Sequence, residues 1–511
     1  MMIVLDGQSF TIEKAQAAAQ GAKIAIDHAV RKNMDLSRAI VKKASRQRTP
    51  VYAVNTGLGH FARIHIPKKQ QLELQVNILK SHAAGWGPPL SIEETRLAMA
   101  CRLNTLLKEF SGVTFALCQA LLDLVNHGIY PIIPEHGSVG ASGDLAPLAH
   151  LALPLIGEGV VRYREQTLSA SEALKQAGLK PYQLSEKEGV ALINGTQMML
   201  SVGTLACLQA ISLLDHADRI AALSYEALIG NPEALDPRIH RARRQLGQIE
   251  SANAILTQLK GSYLFNKNLQ RIRVQDPYSL RCAPQIHGPS RDALRHVREI
   301  IEKELNAATD NPLVIQEEER LVSGGNFHGQ NLAMAFDYAA MAIAEIGNVS
   351  ERRLELLLNP HFSGLPPFLT PREGINSGYM ASQYLSASLV NENKLLANPS
   401  CTDSIPGNVG IEDHVSMGMT SARKLKKLVK NAQAILAVEM MAAAQAIDLR
   451  QIEKLAPISH QLLFSKAGEK WKLGAGTSKT YASVREKIPQ LVEDRIISDD
   501  IQQAVNILRM A

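Results

Sequence analysis

The stretch Gly137-Ser138-Val139-Gly140-Ala141-Ser142-Gly143-Asp144-Leu145-Ala146-Pro147-Leu148 carries the small tripeptide Ala141-Ser142-Gly143 at its centre. This tripeptide has no charged, bulky or aromatic side chain, so its chemistry has to come from the backbone, which glycine allows to approach closely. If the nitrogen of Gly143 attacks the carbonyl carbon of Ala141 and water leaves, a five-membered ring closes. Loss of a second water from Ser142 gives an exocyclic methylene group, an electrophile that no ordinary side chain provides.

A helix is predicted directly after this tripeptide, because Asp144 and Pro147 are both favourable in a first helical turn. The positive end of that helix would point towards the ring. The sequence excludes a Walker loop, which needs Gly-Lys followed by Ser or Thr, and a nucleophile elbow, which needs glycine where Asp144 stands. On composition alone, a plain turn before a helix remains the alternative.

Helical patterns dominate the remainder of the chain, whereas Met2–Leu5 predicts a short strand and Pro50–His60 a loop. The patterns over residues 326–358 and 416–449 are far longer than the usual dozen or so residues, and both are rich in alanine, which lets helix axes come close. The apolar periodicity predicts helices over residues 70–82, 91–127, 197–228, 289–308, 326–358 and 416–449.

The fold prediction is therefore mainly α: a long-helix bundle preceded by a smaller N-terminal domain that carries the tripeptide. A change of pattern near Thr196 divides the chain into residues 1–196 and 197–511. Helices this long and apolar need neighbours. We therefore expect the bundle to be shared between the subunits of a homo-oligomer.

Composition excludes several classes of protein. The formal net charge is +6, without a dense basic tract, so nucleic-acid binding is not indicated. Residues 198–214 are uncharged, but polar side chains within them predict a fully buried helix and no membrane association. Five scattered cysteines, an odd number without a CxxC pair, indicate a reducing, cytoplasmic compartment and argue against a disulfide framework or a metal site. No signal peptide is apparent in residues 1–10.

Polar side chains recur in short non-helical segments, and each has a purely structural alternative. Tyr52 lies among small apolar residues, where tyrosine is usually a core residue, although tyrosine also serves as an acid–base group. His82 precedes Gly85 and is in place to donate to the end of a helix. Asn194-Gly195 is a common turn pair. Glu412 precedes a long helix that it can simply cap.

A further cluster contains Gln275, Tyr278 and Arg281, which stand three residues apart. Helical geometry would place these three side chains on one face. Arg281 is the natural partner for a substrate carboxylate, because its guanidinium fork binds both oxygens.

These residues give the sequence a resemblance to the aromatic amino acid ammonia-lyases, which carry a self-made methylidene-imidazolone group (MIO). The run 137–150 resembles the signature of that family, and a match of this length is highly specific. The resemblance covers nearly the full chain. Further matching stretches are Tyr52–Gly59, Ser81–Gly85, Asn194–Gln197, Gln275–Arg281, Asn306–Pro312, Gly324–His328, Ser350–Arg353, Asn376–Met380, Asn391–Lys394 and Glu412–Met417.

The resemblance favours the histidine branch of this family. It implies that Ala141-Ser142-Gly143 forms MIO without an external organic cofactor, and that L-histidine loses ammonia to give trans-urocanate, the first step of histidine degradation. It also implies a homotetramer whose active sites draw residues from three subunits, with Tyr52 and Ser142 on different chains.

The resemblance assigns roles to eight residues outside the tripeptide. They are Tyr52 as the base for the β-proton, Arg281 as the holder of the substrate carboxylate with Asn194 and Tyr278 alongside, His82 and Glu412 as contacts of the imidazole ring, and Gln275 and Phe327 as pocket-lining residues.

Three alternatives stay open at this point. The first is another MIO enzyme, either a phenylalanine or tyrosine ammonia-lyase or an aminomutase; the polar His82 and Glu412 argue against a phenyl-binding pocket. The second is a catalytically silent helical scaffold, against which the intact tripeptide, Tyr52 and Arg281 argue. The third is the fumarase/aspartase group, whose Gly-Ser-Ser-x-Met-Pro stretch this sequence lacks.

Overall fold

The structure is a computed structural model, and it describes residues 2–267, 269, 271, 273–451 and 472–510. Within these residues helices dominate and the strands are short, in agreement with the mainly α prediction. The helices are α1 (Ile12–Ala19), α2 (Arg31–Ala44), α3 (Lys68–His82), α4 (Ile92–Leu106), α5 (Phe115–His127), α6 (Leu145–Ala152), α7 (Ala170–Ala177), α8 (Glu188–Ile193), α9 (Gln197–Ala227), α10 (Pro237–Arg243), α11 (Leu246–Gln258), α12 (Tyr278–Arg281), α13 (Ala283–Glu304), α14 (Gln330–Leu358), α15 (Pro360–Ser363), α16 (Met380–Leu396), α17 (Gly418–Arg450), α18 (Thr477–Lys487) and α19 (Ile497–Met510). The strands are β1 (Met2–Leu5), β2 (Lys23–Ile26), β3 (Trp86–Pro89), β4 (Tyr130–Pro131), β5 (Pro134–His136), β6 (Val160–Tyr163), β7 (Gln166–Ser169), β8 (Leu313–Ile315) and β9 (Arg320–Val322).

Several helix boundaries follow from capping residues in the sequence. The Thr11 side chain accepts a hydrogen bond from the Lys14 amide at the start of α1. Ser91 and Glu94 form a reciprocal capping box at the start of α4. Helix α5 ends at Gly128, whose φ of 72° is the left-handed conformation that commonly terminates a helix.

The structure corrects two predicted helix ranges. The range 91–127 contains two helices, α4 and α5, because the chain leaves the helical conformation around Gly112, where φ is 63°. The range 289–308 starts too late, since α13 begins at Ala283 and contains Pro289 in its interior. This proline lacks one backbone hydrogen bond inside the helix and does not mark its start.

The chain divides into two compact units, of which unit 1 comprises residues 1–206, 297–337 and 399–423. The nine strands named above lie in this unit, as the parallel pair β1-β2, the antiparallel pairs β3-β5 and β8-β9, and the antiparallel sheet β4-β6-β7. Helices α3, α6 and α8 pack against one another. This packing positions the candidate site, because α3 ends at His82, α6 follows the tripeptide and α8 ends just before Asn194.

Unit 2 is helical and comprises residues 207–296, 338–398 and 424–511. Its interior holds the fully buried ion pair Arg353–Glu439, with 2.6 Å between Nε and Oε1. The same carboxylate accepts hydrogen bonds from Ser224 and Ser350, each at 2.6 Å. Buried charges of this kind persist because every oxygen has a partner. The predicted division at residue 196 stays a prediction.

Three long helices, α9, α14 and α17, have the length and apolar composition of membrane-spanning helices. The chain itself buries 72%, 61% and 83% of their most apolar windows, respectively. Segment 198–214 is buried along most of its length, but Gln209 and Ser212 are exposed, which corrects the prediction of full burial. The chain thus covers most of these apolar windows by itself, and the expectation that subunits share the bundle stays a prediction.

Candidate active site

The tripeptide forms a tight turn. The amide of Gly143 donates to the carbonyl of Gly140 at 3.3 Å, and these two residues form an isolated β-bridge. Ser142 has a φ of 49°, a left-handed conformation that costs free energy for a residue with a β-carbon. The backbone is thus bent at the residue that lies between the nitrogen of Gly143 and the carbonyl carbon of Ala141, the two atoms that ring closure has to join.

Gly143 lies against a second glycine, Gly195. The amide of Asp144 donates to the Gly195 carbonyl at 2.7 Å, and the Gly195 amide donates to the Ser142 carbonyl at 3.2 Å. A β-carbon on Gly143, whose φ is 79°, would overlap the Gly195 carbonyl group. The residue that would supply the attacking nitrogen is therefore also one that this close backbone contact requires to be glycine.

Two helices begin beside the turn. Helix α6 begins at Leu145 and α9 at Gln197, each within a few residues of the paired backbone segments. The N-terminal end of a helix carries a partial positive charge. Both helices therefore favour negative charge that develops near Ser142.

The structure corrects the predicted role of Asp144. This residue precedes α6, and its buried carboxylate accepts hydrogen bonds from the Met199 amide and the Ser138 hydroxyl, both at 2.8 Å. It therefore caps α9 and makes no side-chain cap to α6. Burial raises the pKa of this carboxyl group to about 6, against the opposing effect of its hydrogen bonds.

A cavity of about 540 Å³ opens beside the turn. It brings together five of the predicted site residues, Tyr52, His82, Ser142, Asn194 and Glu412. Because one chain supplies both Tyr52 and Ser142, the expectation that they come from different chains is wrong. The other lining residues are mostly apolar and comprise Gly57, Leu58, Gly59, Phe61, Ile64, Ile66, Leu74, Asn77, Ile78, Ser81, Leu145, Val190, Ile193 and Asn408.

His82 and Glu412 are the two ionisable groups predicted to bind a ring. Burial lowers the pKa of His82, and the Ile78 carbonyl and the Glu412 carboxylate oppose this only in part. Nδ1 of His82 lies 3.0 Å from both the Ile78 carbonyl oxygen and the Ser81 hydroxyl oxygen, so these local contacts use Nδ1 and leave Nε2 as the ring nitrogen available to a ligand. Glu412 accepts from the Ser142 hydroxyl at 3.3 Å and does not cap α17, which begins at Gly418.

The side chains of Tyr52 and Asn194 each form a hydrogen bond with a backbone group. The Tyr52 hydroxyl oxygen accepts a hydrogen bond from the Gly59 amide at 3.2 Å, so its own hydrogen is not used in this contact. The buried Asn194 donates from Nδ2 to the Asn311 backbone carbonyl at 2.9 Å, and the backbone carbonyl of Asn194 accepts from the Arg102 side chain at 2.9 Å. Both side chains therefore have defined positions in the cavity wall.

Of the eight predicted site residues outside the tripeptide, four do not line this cavity: Gln275, Tyr278 and Arg281, which belong to unit 2, and Phe327, which lies in a turn before α14. Gln275 precedes the four-residue helix α12, which corrects the prediction that the first three share one helical face. The Arg281 guanidinium stacks over Tyr278 at 4.7 Å, and its Nε donates to the Asp276 carbonyl at 3.1 Å. Its terminal nitrogens form no hydrogen bond to any residue that the structure describes.

A protein-family model matches most of the chain, including the residues of this site. The model of the family described as aromatic amino acid lyase matches residues 10–486 of the chain. The chain belongs to the aromatic amino acid lyase family. This membership confirms the fold class and the resemblance inferred from the sequence.

Individual members of the aromatic amino acid lyase family resemble this chain over nearly their full length. A histidine ammonia-lyase from Geobacillus thermodenitrificans (strain NG80-2) is 47% identical over 507 residues, 98% of this chain and 96% of the relative. The crystal structure of histidine ammonia-lyase from Trypanosoma cruzi has a TM-score of 0.88 at 39% identity, covering 100% of this chain and 94% of that one. A tyrosine aminomutase from Streptomyces globisporus has a TM-score of 0.91 at 36% identity, covering 100% and 97%.

Sequence reasoning missed two asparagines that line the cavity of this lyase, Asn77 and Asn408. Asn77 lies one helical turn before Ser81 on the face of α3 that ends at His82, so helical spacing provides a signal for it. Asn408 contacts His60, which is 348 residues away in the chain, and no local spacing indicates such a contact.

Proposed function

We propose that this aromatic amino acid lyase is a histidine ammonia-lyase, which eliminates ammonia from L-histidine to give trans-urocanate. The observation that carries the proposal is the cavity that places Ser142 of the tripeptide beside the polar side chains of His82 and Glu412. The 47% identity to a histidine ammonia-lyase over nearly the whole chain supports the same activity.

The tripeptide fits the formation of MIO. Ser142 is already bent, and Gly143 lies where a β-carbon has no room. Once formed, MIO supplies an electrophilic methylene group that makes the substrate amine a good leaving group. Ala141, Ser142 and Gly143 would form and hold this group, and the N-terminal ends of α6 and α9 would stabilise negative charge beside it.

Tyr52 is the group that removes the β-proton in this proposal. A β-proton beside an imidazole ring is a very weak acid, so the base must be held in reach of it. The Gly59 amide fixes the Tyr52 oxygen at 3.2 Å without using the hydroxyl hydrogen. Tyr52 lines the same cavity as Ser142, so one bound substrate can present its amine to Ser142 and its β-carbon to Tyr52.

His82 and Glu412 select the ring of the substrate. Nε2 of His82 and the carboxylate of Glu412 are polar groups of two residues that line the cavity, and an imidazole ring offers them one N–H donor and one nitrogen acceptor. A phenyl ring offers none and would leave them unpaired. The pair therefore favours histidine over phenylalanine.

Arg281 holds the substrate carboxylate in this proposal, since its stacked guanidinium keeps two terminal nitrogens available for two oxygens. We expect Arg281→Lys to raise KM for L-histidine by about tenfold with a smaller change in kcat, because a point charge cannot reproduce a bidentate contact made throughout the reaction. Steady-state kinetics measure both constants, and Arg281→Ala should raise KM further. An unchanged KM in both variants would contradict this role.

We further propose a homotetramer. Helix α14 exposes the stripe Met334, Tyr338 and Met341. Helix α16 buries polar residues such as Ser386 but exposes apolar ones such as Leu395, which is 71% exposed. Apolar faces of this extent usually mark contacts between chains. Neighbouring subunits would then supply the predicted site residues that this chain's own cavity lacks.

The tetramer prediction is tested by multi-angle light scattering on the purified protein. We expect four times the chain mass of 55.7 kDa, and we expect Met341→Glu on the exposed stripe to shift the distribution towards smaller species, because a buried charge opposes association. An active species that stays monomeric at all concentrations would refute the tetramer.

We place the enzyme in the cytoplasm. Its five cysteines are free thiols, three of them buried. Such cysteines suit a reducing compartment.

The proposed activity is tested by incubating the purified protein with L-histidine, L-phenylalanine and L-tyrosine separately. Release of ammonia and the absorbance of the unsaturated acid identify each product. We expect urocanate from L-histidine as the dominant product. Faster turnover of either other amino acid would replace the histidine proposal with another activity of the same family.

A further inference from the structure

Asn408 connects two loops that enter the cavity from opposite ends of the chain. Its side-chain oxygen accepts a hydrogen bond from the His60 amide at 3.1 Å, across 348 residues. His60 belongs to the loop that follows Tyr52, and Asn408 to the segment that precedes Glu412. Both loops lie in unit 1, and Asn408 itself lines the cavity.

On the tyrosine side, the contact continues through Gly59. The Gly59 amide donates to the Tyr52 hydroxyl oxygen, and the next amide, that of His60, donates to Asn408. Gly59 has a φ of 54°, and a β-carbon there would overlap the side-chain amide of Asn408. Two successive amides of one turn therefore bind Tyr52 and Asn408, so displacement of this turn would also displace Tyr52.

On the other side, Asn408 lies inside a small hairpin that ends at Glu412. The Gly407 amide donates to the Glu412 carbonyl at 2.8 Å, and the Glu412 amide donates back at 3.3 Å. Asn408 has a φ of 50°, which asparagine adopts more readily than most residues. The Glu412 carboxylate at the end of the hairpin accepts from Ser142.

We propose that Asn408 is a positioning residue that fixes the Tyr52 loop to the Glu412 hairpin. Through the His60 and Gly59 amides it sets the place of the Tyr52 hydroxyl relative to Ser142 and to the β-carbon of a bound substrate. The catalytic consequence rests on the proposed function, in which Tyr52 takes the β-proton. The structural consequence, a fixed turn at residues 59–60, is independent of the proposed function.

Two variants separate the side chain from the backbone. Asn408→Gly keeps the left-handed backbone accessible and removes the oxygen, whereas Asn408→Asp keeps the oxygen and the backbone preference. We expect Asn408→Gly to lower kcat for L-histidine by about tenfold to a hundredfold, because small displacements of a reacting group cost this much. KM should change by less than about threefold, and Asn408→Asp should retain most of kcat.

A kinetic isotope effect identifies the step. With L-histidine carrying deuterium on its β-carbon, we expect a larger primary isotope effect on kcat in Asn408→Gly than in the wild type, because proton removal by a misplaced Tyr52 becomes slower. Intact mass should still show the loss of two waters in both variants. Equal losses of kcat in the Gly and Asp variants, or loss of the mass deficit in either, would overturn the proposal.

Hydrogen exchange tests the connection without any substrate. The His60 amide should exchange faster in Asn408→Gly than in wild type and at the wild-type rate in Asn408→Asp, measured on peptides that cover residues 57–63. Unchanged exchange in Asn408→Gly would overturn the proposal even in an active enzyme. Failure of the wild type to convert L-histidine, with the exchange difference present, would overturn only the proposed function and the catalytic consequence that rests on it.

Discussion

Ser142→Ala is expected to lose nearly all activity, by on the order of a thousandfold or more, as happens when an enzyme loses its reactive group. The alanine variant has no hydroxyl to leave as water, so it cannot form the exocyclic methylene. Intact-mass analysis should find the wild-type chain lighter than its sequence by two water molecules. The Ser142→Ala chain should lack that deficit.

Ser171→Ala is the matched control, because Ser171 is an exposed serine on α7 that does not line the cavity. It should retain both the mass deficit and the activity. A wild-type chain of unmodified mass with full activity would contradict the chemistry assigned to the tripeptide. A Ser142→Ala variant with wild-type activity would contradict it equally.

The second large effect concerns the choice of ring. We expect kcat/KM for L-histidine to exceed that for L-phenylalanine by at least about a hundredfold, because a phenyl ring leaves His82 and Glu412 unpaired at roughly 1–3 kcal/mol each. Competition between the two amino acids in one reaction measures the ratio directly. Comparable values for the two substrates would contradict the histidine assignment and leave the tripeptide chemistry standing.

Glu412→Gln tests what the Glu412 carboxylate contributes to the preference for L-histidine. The amide has nearly the same shape but no charge, so turnover of L-histidine should fall at least about tenfold, while the two-water mass deficit should persist because the tripeptide is unaltered. Glu318→Gln, on an exposed turn that does not line the cavity, is a suitable control. Histidine turnover unchanged in Glu412→Gln would refute the role of this carboxylate.

Much of the fold is predictable because its signals are local. Thr11 and Gly128 sit where capping rules place them, and the apolar periodicity locates α9, α14 and α17 to within a few residues. Pro289 gives a wrong start for α13, because a proline normally marks a helix boundary and here it lies inside the helix. The burial of α17 cannot be predicted from local sequence, since it depends on which distant helices pack around it.

The candidate site also combines features that local sequence signals predict with features that depend on distant contacts. Ser142 and Gly143 are predictable because the run 137–150 resembles the signature of the family, but their contact with Gly195 depends on how α6 and α8 pack. The Asp144 carboxylate caps α9, which begins beyond Thr196. A local capping rule would instead assign this carboxylate to α6, the helix that directly follows Asp144. Asn408 escapes prediction entirely, because its partner lies 348 residues away.

The fate of the substrate nitrogen tests the proposed activity most directly. The tyrosine aminomutase from Streptomyces globisporus shares the fold at 36% identity, so elimination has to be distinguished from return of the amine to the β-carbon. With L-histidine we expect one urocanate and one ammonium ion for every histidine consumed. Accumulation of β-histidine without matching ammonium, or absence of urocanate from the fully folded enzyme, would contradict a histidine ammonia-lyase.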